Sequence, residues 1–383
     1  MKTFKSFLKE QYLYEESLKE CFLTEESTGN ENDDKGKLHE LLLAKHLHPN
    51  KQLPKHFRSE SENPEHAGTP AQVYQKLSDK MGKTTHDKVD KDAKATASAV
   101  FAHLKKHGGL PEGHKITDVH WTSNRDTEKK AGDHEKLTKK KDVNSNADLI
   151  LSSTHSKTGV VAHHPISAKY GSHKPNYKNS GLDSLEKQAG RKAGTYTNIQ
   201  KEHENRSEKL GYSGSQAQKH KQYKEDKTHL DREMADHKES ESTKAFKPKH
   251  PQAIRAHAAE KSGLDARQKM AREHDKGMAK KSDEELRNHI RSQVSPATHL
   301  PHIIAHSKTK ENGNTESHVS DASHMADEHL NKFHKLYVKS GSGISSTIYG
   351  THKETGKVMP VASQIFKSSS GPHKGTAGAF KLH

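Results

Sequence analysis

The residues ADLILS (147–152) and VVAHHPISAKY (160–170) decide the fold class of this chain. Each is a short run of aliphatic and β-branched side chains bounded by polar, turn-forming residues, a pattern typical of β-strands. A third run of this kind, Ile116–Thr122, precedes them. The sequence therefore predicts three consecutive strands.

Helical patterns lie on both sides of these strands. Apolar residues recur at helical spacing over residues 70–81, 93–106 and 182–193. The first of these segments begins with a capping box at Thr69 and Gln72. The order of elements predicts an α+β fold with a core over 69–194, in which a small mixed sheet is flanked by helices.

The composition limits how much of the chain can form a packed core. Hydrophobic residues make up 28% of the 383 residues, and the mean hydropathy is −1.13. So few apolar side chains cannot supply a core throughout. We expect one compact domain of about 100 to 150 residues, with long polar helical or disordered segments around it.

The region 195–330 is the most polar part of the chain. Lys, Glu, His, Gln and Ala dominate it, which favours solvated helices or partial disorder. A capping box at Ser282 and Glu285 begins one helix there. Residues 331–383 return to β-type patterns, which either extend the first sheet or form a small separate one.

Five divisions of the chain follow from these patterns. They are an amphipathic leader (1–26), a short helix and linker (27–68), the α+β core (69–194), the polar helical or partly disordered region (195–330) and a β-rich C-terminal segment (331–383).

The charge points to a polyanionic partner. Lys and Arg total 65 against 50 Asp and Glu, which gives a net charge of +15, and there are 33 His in addition. Such an excess attracts DNA, RNA or an anionic surface and releases their counterions. No run of about 18 apolar residues occurs, so we expect no membrane partner.

The single cysteine, Cys21, restricts the chemistry further. It excludes an intramolecular disulfide and any zinc site built on several thiolates. The sequence also fits a reducing compartment, which is consistent with a location inside a cell.

The strands carry one pair of residues suited to phosphate chemistry. Asp148 lies in the second predicted strand and Lys169 at the end of the third, so the two side chains can converge at one end of the sheet. A carboxylate can hold Mg²⁺ through hard oxygen ligands, and a nearby Lys can orient water or stabilise charge on a phosphate. Asp148 is therefore the candidate metal ligand, with Mg²⁺ as the expected cofactor.

This segment resembles the PD-(D/E)xK nuclease superfamily, whose core carries an Asp on one strand and an acidic residue, any residue and Lys on the next. Asp148 and Lys169 match the Asp and the Lys. Ser167 stands where the family usually has Glu, Asp or Gln. The resemblance implies a catalytic set of Asp148, Ser167 and Lys169 in a divalent-metal-dependent DNA endonuclease.

Another carboxylate could compensate for Ser167. By chain position the candidates are Asp118, Glu135 and Glu186. His163 and His164 are candidate acid or base groups, but neighbouring strand residues face opposite ways, so at most one of them points inward. Trp121 is expected in the core.

A basic segment follows Lys169. It contains Lys174, Tyr177 and Lys178 among turn formers, so its lysines can contact phosphates while Tyr177 stacks on an exposed base. The alternative interpretation is an ordinary exposed basic loop.

The N-terminal residues MKTFKSFLKE resemble the capsid-targeting leader of internal head proteins in T-even-type tailed phages. Those leaders are cut after a Leu or Ile, any residue, Glu pattern. Leu23-Thr24-Glu25 fits it, which makes Glu25 the expected cleavage position, but Leu13-Tyr14-Glu15 and Leu18-Lys19-Glu20 fit it as well. The resemblance implies phage capsid or prohead partners and a location in the virion or the host cytoplasm. The alternative is an ordinary amphipathic helix that docks on the protein.

Three functions are compatible with the sequence, the third of them a host-directed protein injected with the genome, for which no residue offers independent evidence. The first is a DNA-acting phage protein that cuts DNA with Mg²⁺ through Asp148 and Lys169. The second is a non-enzymatic internal head or DNA-binding protein that is packaged with the genome.

Overall fold

Strands β1 (His114–Trp121), β2 (Leu149–His155) and β3 (Val161–Tyr170) are the three consecutive strands that the sequence predicts. They are seen in a computed structural model that describes part of the chain. The described residues are 28–54, 64–106, 110, 112–122, 147–171, 177–239, 246–295, 302–309, 315–368, 371–373 and 375–383. The predicted leader and its cleavage position, Glu25, lie outside these ranges.

Two further strands, β5 (Ile303–Thr309) and β6 (Thr315–Asp321), complete the first sheet. The strand order is β1-β2-β3-β5-β6. Neighbours are antiparallel except for β3 and β5, which run parallel. The sheet is therefore mixed, and the predicted α+β class is confirmed.

Helices α1 (Thr28–Leu47) and α2 (Pro70–Lys106) pack on one face of this sheet because each presents a stripe of apolar side chains to it. Each aliphatic side chain buried in this way contributes about 1.5 to 3 kcal/mol to folding. The shared core includes Leu38, Leu41, Val100, Leu104, Trp121, Leu149, Ile166 and Ile303.

Gly82 interrupts α2. Its φ of 69° lies in the left-handed region, which glycine adopts without the steric cost that a side chain brings. The two helices predicted over 70–81 and 93–106 are therefore one element with a kink. The predicted capping box is present, since the Thr69 N–H donates to Gln72 Oε1 and the Gln72 N–H donates to Thr69 Oγ1.

The chain divides into two compact units. Unit A consists of Ser27–Pro175 and Asn288–Lys332, and unit B includes Asn176–Arg287 and Phe333–His383. These boundaries differ from the predicted divisions, because α1 and the strands β5 and β6 belong with the predicted core. β5 pairs with β3 although it lies about 130 residues later in the chain, and local periodicity does not reveal such a pairing.

The region predicted to be polar helices or disorder is ordered over most of its length. Its elements are α4 (Thr195–Lys209), α5 (Gln216–Glu239), α6 (Pro251–Met278), α7 (Asp283–Val294), β5, β6 and α8 (Ala322–Leu330), and α3 (Leu182–Gln188) precedes them. The predicted capping box at the start of α7 is formed, because the Ser282 N–H donates to Glu285 Oε2 and the Glu285 N–H donates to Ser282 Oγ. The sequence did not predict the strands β5 and β6, because the apolar run at 303–305 has three residues and is too short to indicate a strand.

Polar joints, meaning buried hydrogen bonds and ion pairs that connect two elements, accompany the apolar contacts between the helices of unit B. The Tyr212 hydroxyl donates to Asp226 Oδ2 over 2.8 Å, and Arg255 donates to both oxygens of the same carboxylate over 2.6 and 2.7 Å. Tyr212 and Asp226 are buried, and burial raises the pKa of Tyr212. A bidentate Arg–carboxylate contact of this kind fixes both the distance and the orientation of α5 and α6.

A second sheet in unit B contains the C-terminal β-type patterns. Its strand order is β4-β10-β9-β8-β7, with every neighbouring pair antiparallel. Of the two alternatives for residues 331–383, the structure therefore shows the separate sheet. The strands are β4 (Lys178–Ser180), β7 (Phe333–Val338), β8 (Ser345–His352), β9 (Val358–Ser368) and β10 (Thr376–Leu382).

Among the described helices, none combines the length and the apolar character needed to cross a membrane.

A close approach between α6 and the end of α3 generates a stability prediction. A methyl group at Gly277 would lie 2.0 Å from the Ala189 carbonyl oxygen, whereas one at Gly36 in α1 would meet nothing within 4 Å. We expect Gly277→Ala to destabilise the protein by about 1 to 3 kcal/mol through overpacking. Gly36→Ala should stabilise it by about 0.5 to 1 kcal/mol, because alanine restricts the unfolded chain. Urea denaturation followed by circular dichroism measures both, and equal stability of Gly277→Ala and wild type would contradict this close packing.

Candidate active site

The candidate site lies where β2 begins and β3 ends. The two strands are antiparallel with Leu149 opposite Ile166, which places Asp148 opposite Ser167. The Asp148 N–H donates to the Ile166 carbonyl oxygen over 2.9 Å, so the ladder extends one residue beyond β2. The register therefore brings Asp148 beside the end of β3.

Three donors surround one oxygen of Asp148. The Ser167 hydroxyl and the Ala168 N–H donate to Oδ2 over 3.3 and 3.0 Å, and Lys169 Nζ lies 3.7 Å from the same atom. The Asp148 and Lys169 side chains are 12% and 21% exposed, so this ion pair is partly shielded from solvent. The structure thus brings together the three residues that the sequence selected, and the shared contacts fix the orientation of the carboxylate.

The side-chain oxygens at this site are suited to Mg²⁺, although they supply few of the ligands that the ion requires. Asp148 supplies one carboxylate and Ser167 a neutral hydroxyl beside it. Mg²⁺ sites in proteins often use one or two carboxylates, with water and substrate phosphate oxygens as the remaining ligands. Within the described ranges, no three His, Cys, Asp or Glu side chains are grouped so as to hold a metal ion. A Mg²⁺ ion held by Asp148 and the other described residues would therefore need further ligands, such as water or phosphate oxygens.

Two of the three carboxylates predicted to compensate for Ser167, Asp118 and Glu186, are among the described residues. Asp118 is opposite Ser152 on β2, about 13 Å along the strand from Asp148 at 3.3 Å per residue. Both oxygens of Glu186 accept backbone N–H groups, from Gly194 and Tyr196, and so cap the start of α4 in unit B. Glu135 lies outside the described residues.

Glu40 is a further carboxylate of unit A, and its sequence pattern does not single it out. It lies on α1, and its Oε2 accepts the indole N–H of Trp121 over 3.1 Å and pairs with Lys37. Trp121 is opposite Leu149 and is 1% exposed, so the prediction of a core tryptophan is confirmed. Helical periodicity alone does not distinguish Glu40 from the other polar residues of α1.

The end of β3 is held in place by a polar joint that the sequence did not reveal. The Tyr170 hydroxyl donates to Asp92 Oδ2 over 3.0 Å, and the Thr315 hydroxyl donates to the other oxygen of Asp92. The Tyr170 ring stacks on His39 with 4.7 Å between ring centroids. These four residues come from distant segments of the chain, so the joint exists only in the folded unit, where it positions the residue next to Lys169.

His163 and His164 face opposite sides of the sheet, as the strand alternation predicts. His163 Nδ1 is 3.0 Å from Ser152 Oγ, whereas His164 Nε2 is 3.1 Å from Ser153 Oγ. Burial, together with His163 and His114 nearby, lowers the pKa of His164 to about 4. Both rings lie toward the end of the hairpin away from Asp148.

The predicted nucleic-acid segment is only partly described. Lys174 lies outside the described residues. The Tyr177 N–H donates to the Phe380 carbonyl oxygen in unit B, and burial raises the pKa of its phenol. Lys178 begins β4. The base-stacking role of Tyr177 and the phosphate contacts of Lys174 and Lys178 therefore stay predictions.

Comparison with known proteins gives one structural similarity. No family model matches the chain, and a search of curated proteins finds no significant match. Among solved structures, the chain is similar to the restriction endonuclease MspI in complex with its cognate DNA, with 13% identity and a TM-score of 0.31. The aligned region covers 78% of this chain and 82% of that chain.

His39 generates a prediction about acid stability. Neither of its ring nitrogens has a hydrogen-bond partner among the described residues, and burial, with a smaller effect of His306, lowers its pKa to about 3. Between about pH 6.5 and pH 3 the unfolded chain binds a proton here that the folded chain does not, so stability falls as the pH falls.

We expect His39→Phe to keep the ring stacking and to remove this pH dependence. The slope of unfolding free energy against pH should decrease by up to about 1.4 kcal/mol per pH unit in that range. Urea titrations between pH 7 and pH 4 measure it, with the same substitution at the exposed His324 as the control. An unchanged slope for His39→Phe would contradict a buried neutral imidazole.

Proposed function

We propose that unit A is a Mg²⁺-dependent endonuclease that acts on DNA. The observation that carries this proposal is the 3.7 Å contact between Lys169 Nζ and Asp148 Oδ2 on adjacent strands, with Ser167 beside them. Cleavage of a phosphodiester needs a metal ligand and a positive charge at the same place. A carboxylate and an ammonium group held together at a strand end can provide both.

The residues divide the chemistry between them. Asp148 would hold Mg²⁺, and Ser167 would orient the carboxylate through its hydroxyl. The metal ion, when bound, supplies a Lewis acid that polarises the phosphate and an activated water. Lys169 carries three N–H donors on a positive charge, which suits it to orient the attacking water and to stabilise the negative charge that develops on the phosphate.

The charge of the chain supports DNA as the substrate. A net charge of +15 attracts a polyanion over long range and raises the rate of encounter. This attraction does not depend on the sequence of the DNA, because it acts on the phosphate backbone.

A second candidate function is DNA binding without cleavage, and Ser167 is the observation that favours it. Ser167 supplies a neutral hydroxyl where nucleases of the PD-(D/E)xK superfamily usually carry an acidic side chain. Asp148 is therefore left as the one carboxylate at the described site. In that case the protein would act as a packaged, non-enzymatic DNA-binding protein. A virion location, capsid or prohead partners and cleavage after Glu25 stay predictions, because they rest on residues outside the described ranges.

Plasmid nicking distinguishes the two functions. In the presence of Mg²⁺ or Mn²⁺, we expect wild type to nick supercoiled DNA, and we expect Asp148→Asn and Lys169→Gln each to slow nicking by about 100-fold or more. Lys115→Gln, which removes an exposed lysine from β1, is the matched control and should retain activity. If wild type retards DNA but never nicks it with either metal ion, the endonuclease proposal is wrong and the binding function is favoured.

Ser167→Glu tests the metal site directly. It places a second carboxylate next to Asp148, so the two negative charges should repel each other without metal and hold Mg²⁺ more tightly with it. We expect a larger rise of the melting temperature on addition of Mg²⁺ than in wild type, and faster nicking. Ser167→Gln has the same length without the charge and is the control. Equal Mg²⁺ shifts in all three proteins would show that no metal binds at this position.

A further inference from the structure

The second half of α2 carries a row of exposed positive charges. Between Gly82 and the end of the helix there are six lysines, all of them exposed: Lys83, Lys88, Lys91, Lys94, Lys105 and Lys106. We call these six residues the lysine stripe. None of them forms a salt bridge or a side-chain hydrogen bond within the described part of the chain, so their charge is available to a partner.

The acidic residues of the same segment do not neutralise the stripe. Asp90 pairs with His46 of α1 over 2.9 Å, and Asp92 is buried, where it binds Tyr170 and Thr315. Asp87 is the exposed carboxylate of this segment and lies 3.6 Å from His86. The solvent side of the helix therefore has six cations and one exposed anion.

The helical repeat places the lysines on one face. At about 100° per residue, all six lie within about 80° of Lys91 around the helix axis. The opposite side carries the buried residues Val89, Ala93, Val100 and Leu104, which pack on the sheet. At 1.5 Å per residue the stripe is about 35 Å long from Lys83 to Lys106, close to the 34 to 36 Å of one turn of duplex DNA.

The stripe is separate from the candidate active site. The Ala168 side chain lies in the core that α2 helps to form. Ser167 and Lys169 flank Ala168 on β3, so their side chains project from the opposite face of the sheet. A ligand on the stripe would therefore contact a different surface of unit A.

The chemistry of this face favours a phosphate backbone over a lipid surface. Helices that bind membranes place large apolar side chains in the interface beside their lysines. The strongly exposed large apolar residues in the described ranges are Val160, Val161, Ile254, Val358 and Met359, and none lies on α2. The lysine stripe can therefore attract anionic groups, but it has no strongly exposed large apolar side chain beside it to insert into a lipid surface.

We propose that the lysine stripe binds the phosphate backbone of duplex DNA and holds it on unit A independently of cleavage. This inference rests on DNA being the partner, as in the proposed function. It adds a second binding surface, which would let the protein stay attached to DNA when the candidate active site is empty.

The test compares two variants that lose the same charge. One replaces Lys88, Lys91, Lys94 and Lys105 with Gln, and the control replaces the exposed lysines Lys201, Lys209, Lys221 and Lys224 of unit B with Gln. Binding of the full chain to a fluorescent 30-base-pair duplex is measured by anisotropy in EDTA over a range of salt concentrations. EDTA removes the divalent metal ion, so a protein that does not cleave DNA still reports on this proposal.

We expect the stripe variant to bind at least tenfold more weakly near 100 mM salt and its slope of log affinity against log salt to fall by about 2 to 4, since each lysine-phosphate contact contributes about one unit. The control should change by less than threefold, and both should keep the wild-type melting temperature. Equal losses in the two variants, or no loss in the stripe variant, would overturn the proposal. So would a loss of binding to phosphatidylserine vesicles with DNA binding intact.

Discussion

The hydrogen bonds between the start of β2 and the end of β3 fix the strand register on which the core and the candidate site of unit A depend. The backbone of Asp148 bonds to Ile166, and its side chain bonds to the backbone of Ala168. Together these contacts fix a register in which Leu149 and Ile166 face the helices while Ser167 and Lys169 face the other way. A slip of one residue would exchange the two faces of β3, placing lysine in the core and alanine at the site.

Buried polar joints stabilise a chain that has few apolar side chains. Asp92 connects α2 to β3 and β6, and Asp226 connects α5 to α6 through Tyr212 and Arg255. Each joint satisfies the polar groups that it buries, which limits the cost of desolvation. Because such bonds are directional, they act together with the apolar contacts of the same helices to select one arrangement. The low hydrophobic content therefore did not prevent an ordered structure.

The sequence predicted the strands well where the signal was local. β1, β2 and β3 appear close to their expected bounds, and the capping boxes at Thr69 and Ser282 begin helices. The expectation of polar helices or disorder over 195–330 missed β5 and β6, because short strands that are paired inside a sheet need little hydrophobic character of their own. The divisions of the chain could not be predicted either, since unit A is assembled from two distant segments.

For the candidate site, the sequence by itself determined which residues are present: a carboxylate at the start of one strand, a lysine at the end of the next, and a serine two residues before that lysine. It also determined the excess of positive charge. Only the tertiary structure decided that Asp148, Ser167 and Lys169 meet at one oxygen atom, and that Asp118 and Glu186 serve elsewhere. The physical reason is that side-chain type is a local property, whereas convergence depends on strand register, which the backbone hydrogen bonds between β2 and β3 set.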